Sequence, residues 1–320
     1  MKLADPLYGE FEIEGVLLDL LETAAIKRLK NIHQGGASYL VNRNWNVTRY
    51  EHSVGVMLLL KRMGASLEEQ IAGLIHDVSH TAFSHVVDHM TGNLEQNYHE
   101  TIFEEVVKTS EIPAVLSRHG YRMEGILPAD RWLLLERELP DLCADRIDYT
   151  LRDLTAYGSI TMDEARQFIA DLEVVDKKLC VGSLDAGDWF AEAYYKEVID
   201  FFLDPGNVYG YALLADILKI GIEKKILSME DIKKDDEYIL NLLYSSSDRE
   251  IKGMLEGFSR RAVSDDRNYD IHVKKKIRII DPLIRYKGRL VRGSELSSNI
   301  RQMNRKAVER STKGTYIRLI

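Results

Sequence analysis

The chain has 320 residues, 43 basic and 51 acidic side chains, 45% hydrophobic residues and a formal charge of −8. This length suffices for a buried core in one large or two modest domains, and the composition is neither that of a disordered chain nor that of a membrane protein. No apolar run approaches the ~20 residues of a membrane helix, the opening MKLADPLYGEFEIEG lacks the form of a signal peptide, and Cys143 and Cys180 are too few for a disulfide framework, so a cytoplasmic location is expected.

EFEIEGVLLDLL predicts a short strand or turn, then one helix over about 15–30. NIHQGGASYLVNRNWN, with paired glycines and several asparagines, reads as a loop. From His52 the pattern is helical as far as Gly64. Ser66 followed by Glu69 predicts a capping box for the helix EEQIAGLIHDV. Further helices are expected over 83–90, 99–108, 141–157 and 163–172. EVVDKKLCVG alternates as a hairpin would. Two long helical stretches, 188–203 and 208–226, flank Asp204-Pro205-Gly206, and another helix starts at Ser228. Beyond Arg261, KKKIRIIDPLIRYKGRLVRG predicts strands, followed by a helix over 296–309 and a terminal strand, TYIRLI. The expected fold is mainly α, with a helical core (1–180), a helical extension (181–262) and a small basic α+β segment (263–320).

Two distributions are uneven. Eight of the nine histidines lie between His33 and His119, and residues 272–320 carry +11, so residues 1–271 carry −19. His52, His76, Asp77 and Asp145 offer mixed nitrogen and oxygen donors, which suit Mn, Fe, Zn or Ni. His76-Asp77 ends an apolar helix, where a buried carboxylate needs a positive partner. A metal ion is such a partner. A lone His-Asp pair at a helix end is usually solvated, but this one has company. His80 follows His76 by four residues, on the same helical face or just past its end. His85 and His89 repeat that spacing around Asp88, and His99-Glu100 opens the next helix. His89 and His119 read as surface residues.

These segments carry a resemblance. DPLYGEFEIEG, NIHQGG, RYEHSVGV, GLIHDVSHTAFSHVVDH, His99-Glu100 and CADRIDYTLRD stand in the order found in the HD superfamily of metal-dependent phosphohydrolases. Within it the chain is most similar to the deoxynucleoside triphosphate triphosphohydrolases. The resemblance implies an HD-domain helical core and one divalent metal ion (Mn, Fe, Mg, Zn or Ni) on His52, His76, Asp77 and Asp145. It implies an acid/base and positioning group of His85, Asp88 and His99, with Glu100 beside it. It also implies contacts from Gln34 to a sugar hydroxyl, from Arg49 and His80 to phosphate oxygens, and from Arg146, Tyr149 and Asp153 to phosphate and sugar.

The chemistry fits such a set. A metal ion polarises a phosphoryl oxygen and brings the pKa of bound water toward ~7. Histidine near its ordinary pKa of ~6.5 moves protons in either direction, and a carboxylate such as Asp88 fixes the ring. The expected reaction is hydrolysis of a dNTP to deoxynucleoside and triphosphate. The alternatives are a nucleotidase or phosphodiesterase on monophosphates or short oligonucleotides, and a non-catalytic nucleotide or nucleic-acid sensor. A homo-oligomer is expected, and no membrane partner.

One departure stands out. Related enzymes carry basic residues after an aromatic-rich helix to grip the triphosphate, whereas here Asp204-Pro205 follows YYKEVIDFFL. Either the basic C-terminal segment replaces that charge or the substrate is smaller. The segment also alternates Ile, Leu and Tyr with its charges, so docking on the acidic body is preferred over nucleic acid.

Overall fold

The computed structural model describes residues 1–127, 131–274 and 276–320. Lys275, in the region where strands are expected, lies outside them. The fold is mainly α. A hairpin of β1 (Lys2–Asp5) and β2 (Gly9–Glu12) opens the chain. Two helices follow, α1 (Gly15–Leu21) and α2 (Ala24–Arg28), where the sequence predicts one. Thr23 explains the break. Its hydroxyl donates to Leu20 O at 2.7 Å and accepts from Ile26 N at 3.3 Å, closing the first helix and capping the second.

α3 (Arg49–Arg62) starts at a capping box of Thr48 and Glu51 and is buried continuously from His52 to Leu60. A helix without a wet face belongs in the centre of a fold. α4 (Leu67–Ile75) packs beside it. Ser66 caps α4 through Glu69 N, but the reciprocal half of the expected capping box is absent. The Glu69 carboxylate instead accepts from Leu134 N at 2.7 Å and Leu135 N at 3.2 Å, pinning the segment that precedes α7.

α5 (Val86–Thr91) and α6 (Tyr98–Thr109) follow. α7 (Ala144–Ala156) lies on α3, and Gly55 permits the approach. A Cβ at Gly55 would stand 2.0 Å from Arg152 Nη2 and 2.1 Å from Asp148 Oδ1. The expected hairpin is present as β3 (Leu172–Val175) and β4 (Lys178–Val181), after α8 (Met162–Asp171). α9 (Leu184–Tyr195) then widens into a π-helical turn over Lys196–Phe201. α10 (Pro205–Glu223) begins where Asp204 accepts from Asn207 N at 3.0 Å. The acid that breaks the family pattern is therefore a helix cap.

The C-terminal segment is docked on the body. β5 (Leu283–Tyr286) pairs in parallel with β4 and antiparallel with β6 (Arg289–Arg292), extending the β3–β4 hairpin to four strands. Ile280, Ile284 and Ile300 are buried, the last on a helix over Ser298–Lys313. Arg285 pairs with Glu173, and Arg292 with Asp141. One apolar cluster contains Leu7, Ile147, Phe190 and Ile300, so residues from all three expected segments share it. Among the described residues, no helix is long and apolar enough to cross a membrane.

Candidate metal centre and its cavity

α3, the end of α4 and the start of α7 converge on one point. The ligating atoms of His52, His76 and Asp77 lie within 4.8 Å of one another. Asp145 Oδ1 is 3.0 Å from His52 Nε2 and 3.5 Å from His76 Nε2, making a fourth donor. Each ring is oriented through its other nitrogen. His76 Nδ1 faces Gly73 O at 2.8 Å, and His52 Nδ1 faces Asp148 Oδ2 at 2.8 Å. Both rings therefore donate from Nδ1 and turn Nε2 inward, the arrangement that suits metal ligation.

This donor set fits a divalent cation. His76 Nε2 is buried without a hydrogen-bond partner, and two carboxylates face it. Burial opposes charge on His52, yet the hydrogen bonds to Asp145 and Asp148 lift it to about 10. Burial likewise opposes charge on Asp77 and Asp145, but Arg49 holds the first and His52 the second well below the usual range. A divalent cation held by these four residues would take the place of the proton that this pull retains.

Beside the centre lies a second histidine group. His80 stacks on His99 with centroids 4.0 Å apart, and His85 stands edge-on to both. His85 Nδ1 is 3.1 Å from Asp88 Oδ2. Asp88 is fixed by Asn93 Nδ2 and Tyr98 N. Burial keeps all three rings neutral. It takes His80 well below its ordinary value, outweighs Asp88 at His85, and with His85 pushes His99 down to about 3. Phe83 and Ser84 both adopt positive φ, a costly backbone for such residues. Asp236 accepts from Phe83 N at 2.6 Å, and Ser84 Oγ bridges Arg49 Nε and His33 O. This held bend carries the chain from the metal centre to His85.

His52, His76, Asp77 and Asp145, with His80, His85 and His99, open onto a cavity of ≈ 600 Å³, and Asp88 stands behind His85 outside its lining. Glu100 stands exposed on its lining, and burial raises its pKa despite that exposure. Gln34, Tyr149 and Asp153 also line it, with Gln34 Nε2 donating to Asp153 Oδ2 at 3.3 Å. Arg49 lines it too, but donates to Asp77 Oδ2 at 2.7 Å. Arg146 does not line the cavity. Its guanidinium is turned to Asp141 O, Arg137 O and Cys143 Sγ. The helical spacing that aligns Asp145 with Tyr149 sends Arg146 about 100° away.

Four residues escaped the sequence reading. Asp148 is fully buried and accepts from His52, from Tyr8 Oη at 2.8 Å and from Arg152, which also pairs with Asp5 at 3.0 Å. The i,i+4 spacing of Asp148 and Arg152 was its available signal. Glu136 lines the cavity, where burial and Asp145 raise it to about 7. Arg278 enters from the C-terminal segment, hydrogen-bonded to Gln96 Oε1 at 3.0 Å and 5.5 Å over the Phe202 ring. Glu197 lies behind Asp153, inside the π-helical turn. Nothing local in the sequence marks these last three.

Comparison with known proteins gives the family. An HD domain family model matches residues 49–153. An uncharacterized protein, YdhJ, of Bacillus subtilis is 49% identical over all of this chain and 99% of its own length. A metal-dependent phosphohydrolase, cns2, of Cordyceps militaris is 30% identical over 88% of this chain and 84% of its own. The deoxynucleoside triphosphate triphosphohydrolase SAMHD1 of Danio rerio is 29% identical over 60% of this chain and 33% of its own. A solved phosphohydrolase of Bacteroides thetaiotaomicron shares the fold, with a TM-score of 0.74, 18% identity and coverage of 100% of this chain and 98% of its own. The chain is a member of the HD-domain family of metal-dependent phosphohydrolases.

Proposed function

We propose that this enzyme hydrolyses the phosphate ester of a nucleotide carrying one phosphate group, as a monophosphate or at the end of a short oligonucleotide. The charge of the cavity carries this reading. Among the described residues, five carboxyl groups (Asp77, Glu100, Glu136, Asp145 and Asp153) line it, against two guanidiniums, Arg49 and Arg278. Arg49 is already paired, and no lysine is among the described lining residues. Adding a divalent ion leaves such a wall nearly balanced. That suits one phosphate, at roughly −1.5 to −2, better than three.

When bound, a divalent ion supplies Lewis acidity and acidifies water toward ~7. The chain's own residues do the rest. Arg49, held by Asp77 and Ser84, directs its guanidinium along the phosphate site. His85, oriented by Asp88 and neutral, accepts or returns a proton, and His80 and His99 wall that side. Glu100 is placed to exchange protons with solvent at the cavity surface. Gln34, Tyr149 and Asp153 receive the sugar.

A second reading, hydrolysis of a dNTP to deoxynucleoside and triphosphate, is favoured by the similarity to the Danio rerio enzyme. A panel of NMPs, dNMPs, NTPs and dNTPs, assayed with Mn²⁺ and Mg²⁺ and with products identified, separates the two. Release of phosphate from monophosphates alone supports the first. Release of triphosphate from dNTPs, with monophosphates untouched, overturns it. Homo-oligomeric assembly and a cytoplasmic location belong to the same proposal. They rest on the family resemblance and, for location, on the two unbridged buried thiols. Light scattering tests the first and cell fractionation the second.

A further inference from the structure

The turn between α5 and α6, residues 92–98, is fastened to the Asp88 carboxylate. Asp88 Oδ1 accepts from Asn93 Nδ2 at 2.9 Å and from Tyr98 N at 3.0 Å, while Oδ2 faces His85. Asn93 Nδ2 also reaches Asn97 Oδ1 at 3.0 Å. Gln96 stands inside this turn, lines the cavity and takes φ +58°. Glycine or asparagine fills that left-handed backbone at lower cost. Glycine has no side chain and asparagine is one methylene shorter, so neither reaches where the Gln96 amide does. Its Oε1 accepts from Arg278 Nη2 at 3.0 Å.

Arg278 comes from 182 positions further along the chain. Its backbone is held just downstream, where Ile280 is buried and its N–H donates to Tyr195 Oη at 3.2 Å. The side chain is held separately, by Gln96 and by the Phe202 ring, whose centroid is 5.5 Å from the guanidinium carbon. An amide oxygen orients a guanidinium without cancelling its charge, as a carboxylate would. It uses one of five donors, and the others remain for an anion in the cavity that Arg278 lines. Arg278 is also among the groups that bear on His85, after burial, Asp88 and Arg49.

We propose that Gln96 is a positioning residue: its amide oxygen aims the Arg278 guanidinium into the phosphate site, and the turn that carries it, tied to Asp88, sets that guanidinium at a fixed spacing from His85. The proposal rests on the reading above for the phosphate at the metal centre. The series His85, Asp88, Asn93, Gln96 and Arg278 then joins the group that handles the proton to the group that holds the anion. Among the described residues, the cavity is otherwise lined by positions 34 to 211, so Arg278 alone brings the C-terminal segment into it.

The test uses metal-loaded protein, calorimetric titration with inorganic phosphate and steady-state kinetics on dAMP. Gln96→Met keeps the reach and bulk of the side chain and removes the acceptor. It should weaken phosphate binding about fivefold and raise KM to match, with kcat within about twofold. Combined with Arg278→Gln, it should weaken phosphate binding no further than Arg278→Gln alone, because the two residues act as one. Asn93→Ala, which also frees Asp88, should raise KM and lower kcat together. Unchanged phosphate affinity in Gln96→Met, or losses that multiply in the double variant, overturns the positioning role. A wild-type kcat in Asn93→Ala overturns the link to His85. If the wild type leaves dAMP intact, the nucleotide reading fails, and the phosphate titrations still decide the role of Gln96.

Discussion

His52 and Asp148 form the hinge between the two central helices: His52 Nδ1 on α3 meets Asp148 Oδ2 on α7 at 2.8 Å, with both side chains almost completely buried. The same carboxylate accepts two bonds from Arg152 and one from Tyr8. A ligand's orientation is thus tied to the packing of the helices and of the N-terminal hairpin.

Asp148→Asn should therefore weaken metal binding by about 10–100-fold, the usual cost of losing a carboxylate behind a histidine ligand. It should also destabilise the fold by about 3 kcal/mol, the low end for breaking a buried pair, because Asp5 still partners Arg152. Metal titration and denaturant unfolding read the two effects. Unchanged metal affinity would remove the orienting role.

Gly55→Ala tests the same contact from the opposite helix. The added methyl would collide with Arg152 and Asp148, whose positions are fixed by their mutual bonds. A loss of about 1–3 kcal/mol is expected from overpacking, together with weaker metal binding. Gly64→Ala is a control for substitution of glycine on the same helix's exit, where a Cβ meets nothing but φ is +73°. It should lower stability without altering metal affinity.

His99 makes stability depend on pH in a defined direction. Its folded pKa is pushed down to about 3, whereas an unfolded histidine titrates near ~6.5. Between these values the unfolded chain takes up a proton that the folded protein refuses. Stability should therefore fall as pH drops from about 6.5 toward 3. His99→Gln removes this contribution. The difference in denaturation midpoint between pH 7 and pH 5 should be smaller in the variant than in the wild type. Equal differences would contradict the low folded pKa.

Arg278 lines the cavity without a carboxylate partner among the described residues. Arg278→Gln should raise KM about tenfold for a phosphate-bearing substrate, with kcat within about threefold, the pattern of lost ground-state binding. Calorimetry with inorganic phosphate on the metal-loaded protein should show a parallel loss. If phosphate affinity is unchanged, Arg278 does not hold the anion, and the C-terminal segment serves docking alone.

Much of the site was legible because its donors cluster in the chain. His76, Asp77, His80, His85 and Asp88 fall within thirteen residues, and the short turn segment between α4 and α5 keeps them together. Helices were legible where caps and apolar periods agreed, as at Ser66 and Ser228, whose hydroxyls accept from Glu69 N and Asp231 N. The break at Thr23 was hidden because the apolar pattern runs through it. The Glu69 capping box failed because its carboxylate found two backbone N–H groups 65 and 66 residues away. Asp204 looked like a repulsive charge beside the substrate and is a helix cap instead.

What the sequence by itself determined is a His/Asp donor set, a second histidine group next to it and a mainly helical frame, all carried by local spacing and side-chain type. What only the tertiary structure decided is which charges face one another. Arg146 turns away from the cavity while Arg278 enters it from far along the chain. Asp148 stands behind His52, and Glu197 behind Asp153. These pairings join residues 44 to 96 positions apart or more, and burial, not periodicity, makes them matter. A buried charge must find its partner wherever the packed chain brings one.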